Sequence, residues 1–169
     1  MTEEKVYFQA EYVFRQAAET LFLEEKTKLQ SLFPHAEIHH VGSTAVPGSL
    51  TKGDVDIQVI VNQEHFNSSK EVLVKYYHIN AGSVSSDTFI SFKDDARNPP
   101  LGIQLTVRNS SLDIFWKITE VLKENENLRQ QYNQIKQEFN GESMEEYREA
   151  KARFLTNLMK TNDYKNKGK

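Results

Sequence analysis

A run rich in β-branched residues, 55–61, constrains the fold of this chain more than any other segment. The run is short and apolar and follows a glycine-containing loop, a pattern typical of a strand buried inside a sheet. Asp54 and Asp56 stand at its start, and their spacing of two places both carboxylates on one face. Neighbouring carboxylates repel each other, and a hard cation such as Mg²⁺ relieves that repulsion. The sequence therefore predicts a strand over 54–61 that begins with a metal-binding pair.

A second polar element, Gly42-Ser43, precedes the aspartates by a spacer of ten residues. Gly42 follows an apolar segment and permits a sharp turn, after which backbone N–H groups face a phosphate. Ser43 adds a hydroxyl donor, and Lys52 places a cation in the loop between the two elements. The sequence thus predicts a phosphate site next to a metal-phosphate site.

Gly-Ser, a ten-residue spacer and Asp-x-Asp together resemble the signature of the nucleotidyltransferase superfamily related to DNA polymerase β. The longer string 39–48, His-His-Val-Gly-Ser-Thr-Ala-Val-Pro-Gly, is similar to the GrpB family of small bacterial proteins. That resemblance continues weakly through Leu128, Tyr132, Lys136, Tyr147, Lys151 and Phe154. It implies an α+β fold, with a nucleotidyltransferase-like mixed β-sheet packed against helices and a helical C-terminal region.

The resemblance also implies roles for individual residues. Asp54 and Asp56 become the catalytic carboxylates and the ligands of Mg²⁺, or of Mn²⁺ in its place. Lys136 and Lys151 match family lysines and are expected to neutralise phosphate charge. Gly42, Ser43 and Lys52 are expected to bind the same phosphates. Adjacent histidines on a strand point to opposite faces, so only one of the pair 39–40 faces the site, and we take His40 as a phosphate contact.

One strand departs from the family pattern. A superfamily site normally takes a third carboxylate from a neighbouring strand, and the GrpB family has a His-Leu-His-like pattern there. This chain has Gln104-Leu105-Thr106. Gln104 and Thr106 share a face and line the predicted cleft, Gln104 in the third position, but neither is a carboxylate or an imidazole.

Two functions remain open at this point. The first is transfer of a nucleotidyl group from a nucleoside triphosphate to a small or short acceptor, with Mg²⁺. The second is a catalytically degenerate module that binds a nucleotide or phosphate, or an accessory domain. Relatives fused to dephospho-coenzyme A kinases connect this second function to coenzyme A metabolism by association alone.

Composition limits the partners, metal sites and cellular location that we expect for this protein. The net charge of −3 and pI near 6.0 argue against a stable complex with nucleic acid. The chain has no cysteine, which excludes disulfides and thiolate metal sites. Neither a signal-peptide pattern nor an apolar run of membrane length is present, so we expect no membrane association and a cytoplasmic location. The oligomeric state is not indicated. A single domain over 1–161 and a polar, disordered tail over 162–169 are expected.

Periodicity and turn residues predict the order of elements. Asn62, Ser110 or Ser111, and Ser143 are expected to cap the helices that follow them. A two-proline turn over 94–100 is expected to join two antiparallel strands. The predicted helices are 9–33, 63–76, 111–124, one around 128–139 and one after 143; the predicted strands are 36–41, 54–61, 77–81, 88–93 and 101–108.

Overall fold

The computed structural model describes residues 3–168 and has seven strands and six α-helices within them. The strands are β1 (Gln9–Ala10), β2 (Glu37–Val41), β3 (Leu50–Thr51), β4 (Val55–Val61), β5 (His78–Ile79), β6 (Phe89–Asp94) and β7 (Leu101–Val107). The helices are α1 (Arg15–Leu32), α2 (Gln63–Leu73), α3 (Phe115–Glu124), α4 (Glu126–Phe139), α5 (Met144–Leu158) and α6 (Asn162–Lys165). None of these helices combines the length and apolar character needed to cross a membrane.

Five strands form the central mixed sheet in the order β2-β4-β7-β6-β5. Strand β4 runs antiparallel to β2 and parallel to β7, and the β6–β7 pair is the predicted antiparallel hairpin around the two-proline turn. The predicted α+β class, the central strand and the hairpin are therefore confirmed.

Helices cover both faces of this sheet. On one face the odd-numbered residues of β4 from Val55 to Val61 are almost completely buried and pack in one hydrophobic core with α1 and α2. The opposite face meets the α3 region, where Gln58 bonds the backbone N–H of Trp116. A second hydrophobic core joins α3, α4 and α5. The C-terminal helices therefore pack on the face that carries the aspartates.

The N-terminal segment is extended where a helix was predicted from residue 9. β1 pairs with β3 in a separate two-stranded sheet, a 3₁₀ turn covers 11–13, and α1 begins only at Arg15. Glu11 is buried and accepts a hydrogen bond from Gly48 N–H at 3.1 Å. The segment therefore fastens the loop between Ser43 and Asp54, a tertiary role that helical periodicity does not reveal.

Helix α3 begins four residues later than predicted, and neither Ser110 nor Ser111 caps it. The amide of Gln58, fully buried on β4, takes over this function: its Oε1 accepts from Trp116 N at 2.9 Å, and its Nε2 donates to Asp113 Oδ1 at 3.1 Å. A side chain from the sheet thus satisfies the first turn of the helix, which local sequence rules do not consider.

Other boundaries differ by a few residues. Helix α2 ends at Leu73, and β5 comprises only two residues. Asn62 precedes α2 but makes no capping bond with its side chain, which accepts a hydrogen bond from Arg108 instead. The predicted cap at Ser143 is confirmed, since its hydroxyl accepts from Glu146 N at 3.2 Å.

The C-terminal tail was expected to be disordered, but α6 lies within it. Thr161 caps α6, Tyr164 packs on the second core, and Lys167 pairs with Glu124 at 2.5 Å. Lys169 lies outside the described residues. The tail was predicted to be disordered because its composition is polar, but its aromatic residue Tyr164 anchors it to the second core.

Candidate functional site

Asp56 is the second residue of β4, an interior strand of the sheet, and its neighbours leave room for its side chain. In the strand register it lies between Val41 of β2 and Gly102 of β7. A methyl group at Gly102 would lie 2.7 Å from Asp56 Oδ1, and one at Gly42 would lie 2.8 Å from Oδ2. Gly102 on β7 and Gly42, which directly follows β2, therefore leave space for this carboxylate.

Asp54 lies just before β4, and both aspartates line the same cleft. Asp54 is partly exposed, and its Oδ2 lies 3.8 Å from Lys52 Nζ. Burial raises the pKa of Asp56 above its usual range, and the negative charge of Asp54 raises it further. The two carboxylates thus carry an unfavourable charge interaction, as the sequence predicted, and a cation placed between them would reduce it.

Gln104 extends this polar group onto β7. Its Nε2 lies 3.5 Å from Asp56 Oδ1, a long hydrogen bond, and its Oε1 is buried with no hydrogen-bond partner among residues 3–168. A buried acceptor without a partner is costly, and a metal ion or a ligand donor would satisfy it.

These donors fit Mg²⁺ only in combination with a ligand. Among the described residues no three His, Cys, Asp or Glu side chains cluster as a metal site. Mg²⁺, however, is commonly held by one or two carboxylates plus substrate phosphates. Asp54, Asp56 and the free Gln104 oxygen meet that requirement, and Mn²⁺ accepts the same oxygen ligands.

The Gly42-Ser43 turn is tied to its surroundings on two sides. Gly42 has a φ of +80°, which favours glycine. Its N–H donates to Thr119 Oγ1 on α3 at 3.1 Å, so this particular N–H is already engaged. The Ser43 hydroxyl donates to Thr51 Oγ1 at 2.8 Å and keeps its lone pairs for another donor.

Lys52, Lys136 and Lys151 line the same cleft, which has a volume of about 300 Å³. Lys136 is only 2% exposed, and its Nζ donates to the Leu50 carbonyl at 2.7 Å. Burial lowers its pKa to about 7, and the positive charges of Lys151 and Lys52 contribute. The C-terminal helices thus bring cations to the sheet face that holds the aspartates.

His40, predicted to contact phosphate, is not among the residues that line this cleft. Its register partner is Ile57, on the face covered by α1. There its ring stacks on Phe22 at 5.0 Å, and its Nε2 lies 3.0 Å from Thr44 Oγ1. Burial lowers the pKa of His40 to about 4, with a smaller contribution from Lys123. The alternation of the strand places His39 on the other face, where it stacks on Trp116.

Several lining residues were not identified from the sequence as parts of a site. They come from the N-terminal segment and from α3, α4 and α5, whose apolar positions read simply as helix packing. Tyr132 and Tyr147 matched family positions but received no role. Isolated polar residues on amphipathic helices carry no local signal. The additional lining residues include Phe8, Phe115, Thr119, Arg129, Tyr132, Asn133 and Tyr147.

Comparison with known proteins gives this cleft its context. The model of the GrpB protein family matches residues 14–161, most of the chain. The chain belongs to the GrpB family. A UPF0157 protein of Vibrio cholerae serotype O1 is 25% identical over 146 residues, which are 86% of this chain and 78% of the relative. The crystal structure of the family member from Enterococcus faecalis has a TM-score of 0.61 at 18% identity, over 90% of this chain and 93% of that one.

A more distant likeness extends to larger proteins. The crystal structure of the Cid1 poly(U) polymerase with MgGTP bound has a TM-score of 0.46 and 15% identity. The likeness covers 74% of this chain but only 40% of the polymerase.

Proposed function

We propose that this protein binds a nucleoside triphosphate with Mg²⁺ in the cleft and transfers the nucleotidyl group to a small acceptor. One observation carries the proposal: two adjacent carboxylates and three lysines line a single cleft. A metal–triphosphate complex is a ligand that needs both signs of charge in one place.

The lysines are assigned to the phosphates. Lys52 lies beside Asp54 and is suited to bridge the metal-binding and phosphate-binding groups. Lys136 and Lys151 approach from the C-terminal helices, and each reduces the charge that a leaving pyrophosphate accumulates. The Ser43 hydroxyl donates to Thr51 Oγ1, so its remaining lone pairs are suited to a metal ion or a donor group and not to a phosphate oxygen.

Asp54, Asp56 and the Oε1 of Gln104 are assigned to Mg²⁺, or to Mn²⁺. The bound metal would neutralise charge on the phosphate oxygens during transfer. The protein's own contribution is to hold the carboxylates in place, and the close packing of Gly42 and Gly102 against Asp56 does this.

In the reaction an acceptor hydroxyl attacks the α-phosphorus and releases its proton to solvent. A new P–O bond forms, the bond to the bridging oxygen of the β-phosphate breaks, and pyrophosphate leaves. The acceptor is expected to be small, because helices α3 to α5 enclose the cleft and the net charge of −3 does not favour a polynucleotide.

A second candidate is a nucleotide-binding module without transferase activity. Gln104 favours it, since an amide occupies the position where the superfamily normally has a third carboxylate. A neutral ligand weakens metal binding relative to a carboxylate and leaves less charge to organise the reacting groups.

Release of pyrophosphate separates the two candidates. Purified protein with Mg²⁺, each nucleoside triphosphate and a panel of small hydroxyl and amine acceptors is assayed for pyrophosphate. The Asp54→Asn/Asp56→Asn variant should abolish any release. An Asp87→Asn/Asp95→Asn variant, which makes the same charge change at exposed loop positions, should keep it. Binding of the nucleotide without release for any acceptor supports the binding module instead.

A further inference from the structure

Arg129 lines the cleft from α4 but has no part in the proposed reaction. Its side chain is partly buried. Arg97 and Arg108, the other partly buried arginines among residues 3–168, each form ion pairs with glutamates. Arg129 forms no ion pair with any residue in this range. No carboxylate of the described residues therefore neutralises its positive charge.

One edge of the Arg129 guanidinium is fixed and the other is open. Nη1 donates to the carbonyls of Leu122 and Lys123 at the end of α3, at 3.0 and 3.2 Å. Nε and Nη2 make no hydrogen bond within residues 3–168. Their N–H bonds run side by side and form the fork that binds two oxygens of one carboxylate or phosphate. The bonds to α3 hold this fork in place before a ligand arrives.

Gly48 leaves the Nε side of this fork uncovered. A methyl group at Gly48 would lie 3.4 Å from Arg129 Nε and 3.9 Å from its Cδ, so a side chain there would take the space beside Nε. The Gly48 N–H donates to Glu11 and its carbonyl accepts from Asn133, so its backbone is held on both sides. Gly48 ends the family-like string 39–48, and neither the metal nor the triphosphate assignment uses it.

Arg129 is separate from the metal–triphosphate centre. Arg129 and Lys136 both line the cleft from α4, and seven residues of helix place them about 10 Å apart along its axis. Lys136 donates to the Leu50 carbonyl, in the loop that leads to the aspartates. Arg129 is held instead at the end of α3. A triphosphate bound by the lysines and the metal therefore leaves the fork of Arg129 for another oxyanion.

We propose that Arg129 binds an oxyanion of the acceptor, which is then a small molecule with a carboxylate or phosphate group as well as its attacking hydroxyl. The assignment to the acceptor rests on the proposed function, in which the nucleotide phosphates go to the lysines and the metal. A rigid, doubly bonded anion also fixes the direction of the acceptor, which positions its hydroxyl for attack.

Nuclear magnetic resonance on the full chain tests the fork without any nucleotide. Inorganic phosphate and acetate are titrated separately, and the Nε–H signal of Arg129 is followed. We expect each anion to shift this signal until it saturates, because each offers two oxygens to the fork. Absence of a shift with both anions overturns the proposal, whatever the outcome for nucleotidyl transfer.

Arg129→Lys keeps the charge and removes the fork. The affinity for both anions, read from the Gly48 amide, should fall by about tenfold or more, the cost of one lost hydrogen bond between charged groups. Arg153→Lys, at an exposed position on α5, should leave the affinity unchanged. Unchanged affinity in Arg129→Lys would mean that Arg129 only holds α3, which overturns the proposal. If this variant does not fold, the wild-type Nε–H titration decides.

Saturating Mg²⁺–ATP identifies the source of the oxyanion. If the acceptor supplies it, phosphate and acetate still shift the Nε–H signal of Arg129 when Mg²⁺–ATP is bound. If Mg²⁺–ATP itself shifts that signal and excludes both anions, the nucleotide supplies the oxyanion and the assignment to the acceptor is overturned. Failure of Mg²⁺–ATP to bind overturns the proposed function and the acceptor with it, whereas the two anions alone still decide whether Arg129 is an oxyanion site.

Discussion

Asp56 and Gly102 are register partners on parallel strands, and a methyl group at Gly102 would lie 2.7 Å from the Oδ1 of Asp56. The glycine is therefore required by the carboxylate rather than by the backbone. Gly42, on the other side, combines the same close approach with a positive φ. Gly42 and Gly102 carry no side chain, and the Asp56 carboxylate occupies the space that this leaves.

Gly102→Ala should destabilise the protein by about 1–3 kcal/mol, the usual cost of overpacking. The cost should fall by at least about 1 kcal/mol in an Asp56→Ala background, because the principal clash is then removed and Gln104 Nε2, at 3.4 Å, is the nearest remaining contact. Urea unfolding of the two single variants and the double variant gives the coupling free energy. Equal costs in both backgrounds would show that the carboxylate does not determine the glycine.

Asp56→Asn should stabilise the metal-free protein near neutral pH. Burial raises the pKa of Asp56 above 3.8, so the folded protein binds this proton more tightly than the unfolded chain. The free energy of unfolding of the wild type therefore falls as pH rises from about 3.8 through the folded-state pKa. The variant lacks this loss and should be more stable at pH 7.5 by about 1–3 kcal/mol.

Denaturant unfolding in EDTA at several pH values checks this prediction. Asp95→Asn, an exposed charge change, serves as the control. A wild type that is the more stable protein at pH 7.5 without divalent cations would contradict the assigned cost of the partly buried carboxylate.

Thr119→Val should leave the Gly42 N–H without its acceptor. Loss of a partly buried hydrogen bond of this kind costs about 1–2 kcal/mol. Hydrogen exchange at the Gly42 amide should accelerate, and Thr119→Ser, which keeps the hydroxyl, should restore most of the protection. Unchanged exchange in Thr119→Val would mean that α3 does not hold the turn.

Lys136→Met should alter how stability depends on pH. The folded-state pKa of Lys136 is about 7 and its ordinary value is 10.5, so the unfolded chain binds more protons between these limits. In the wild type this group makes the free energy of unfolding rise with pH across that window. The variant should lose this contribution and gain stability chiefly at pH 7 and below.

Unfolding measured from pH 6 to 10 tests this, with Lys160→Met as the exposed control. A wild-type slope that persists unchanged in Lys136→Met would contradict the lowered pKa of Lys136. The same proton should be taken up when an anionic ligand binds, since added negative charge raises the pKa of Lys136.

Sequence patterns predicted the elements that are determined by their own residues. The strand after Asp54 and the hairpin around 94–100 follow from β-branched residues and turn formers, and both are present. The motif residues Gly42, Ser43 and Lys52 line one cleft with the aspartates, while their roles remain predictions. Two-residue alternation predicted that 39 and 40 face opposite sides, but only the strand register decides which side each takes.

The parts that were not predicted depend on tertiary contacts. The N-terminal segment is extended because Glu11 and β1 bind the motif loop, a relation across about 40 residues of sequence. The start of α3 is set by Gln58 on β4, and the tail is anchored by Tyr164. Asn133 carries no local signal, since its partners lie more than 80 residues away in sequence.

Calorimetry shows whether Asp54 and Asp56 form a metal–triphosphate site. Mg²⁺–ATP and Mg²⁺–GTP are titrated into the wild type, the Asp54→Asn/Asp56→Asn variant and the Asp87→Asn/Asp95→Asn control, each with and without EDTA. We expect Mg²⁺-dependent binding by the wild type and by the Asp87→Asn/Asp95→Asn control, and no binding by the Asp54→Asn/Asp56→Asn variant. Absence of binding by a folded wild type, or binding that needs neither the metal nor the two carboxylates, would contradict it.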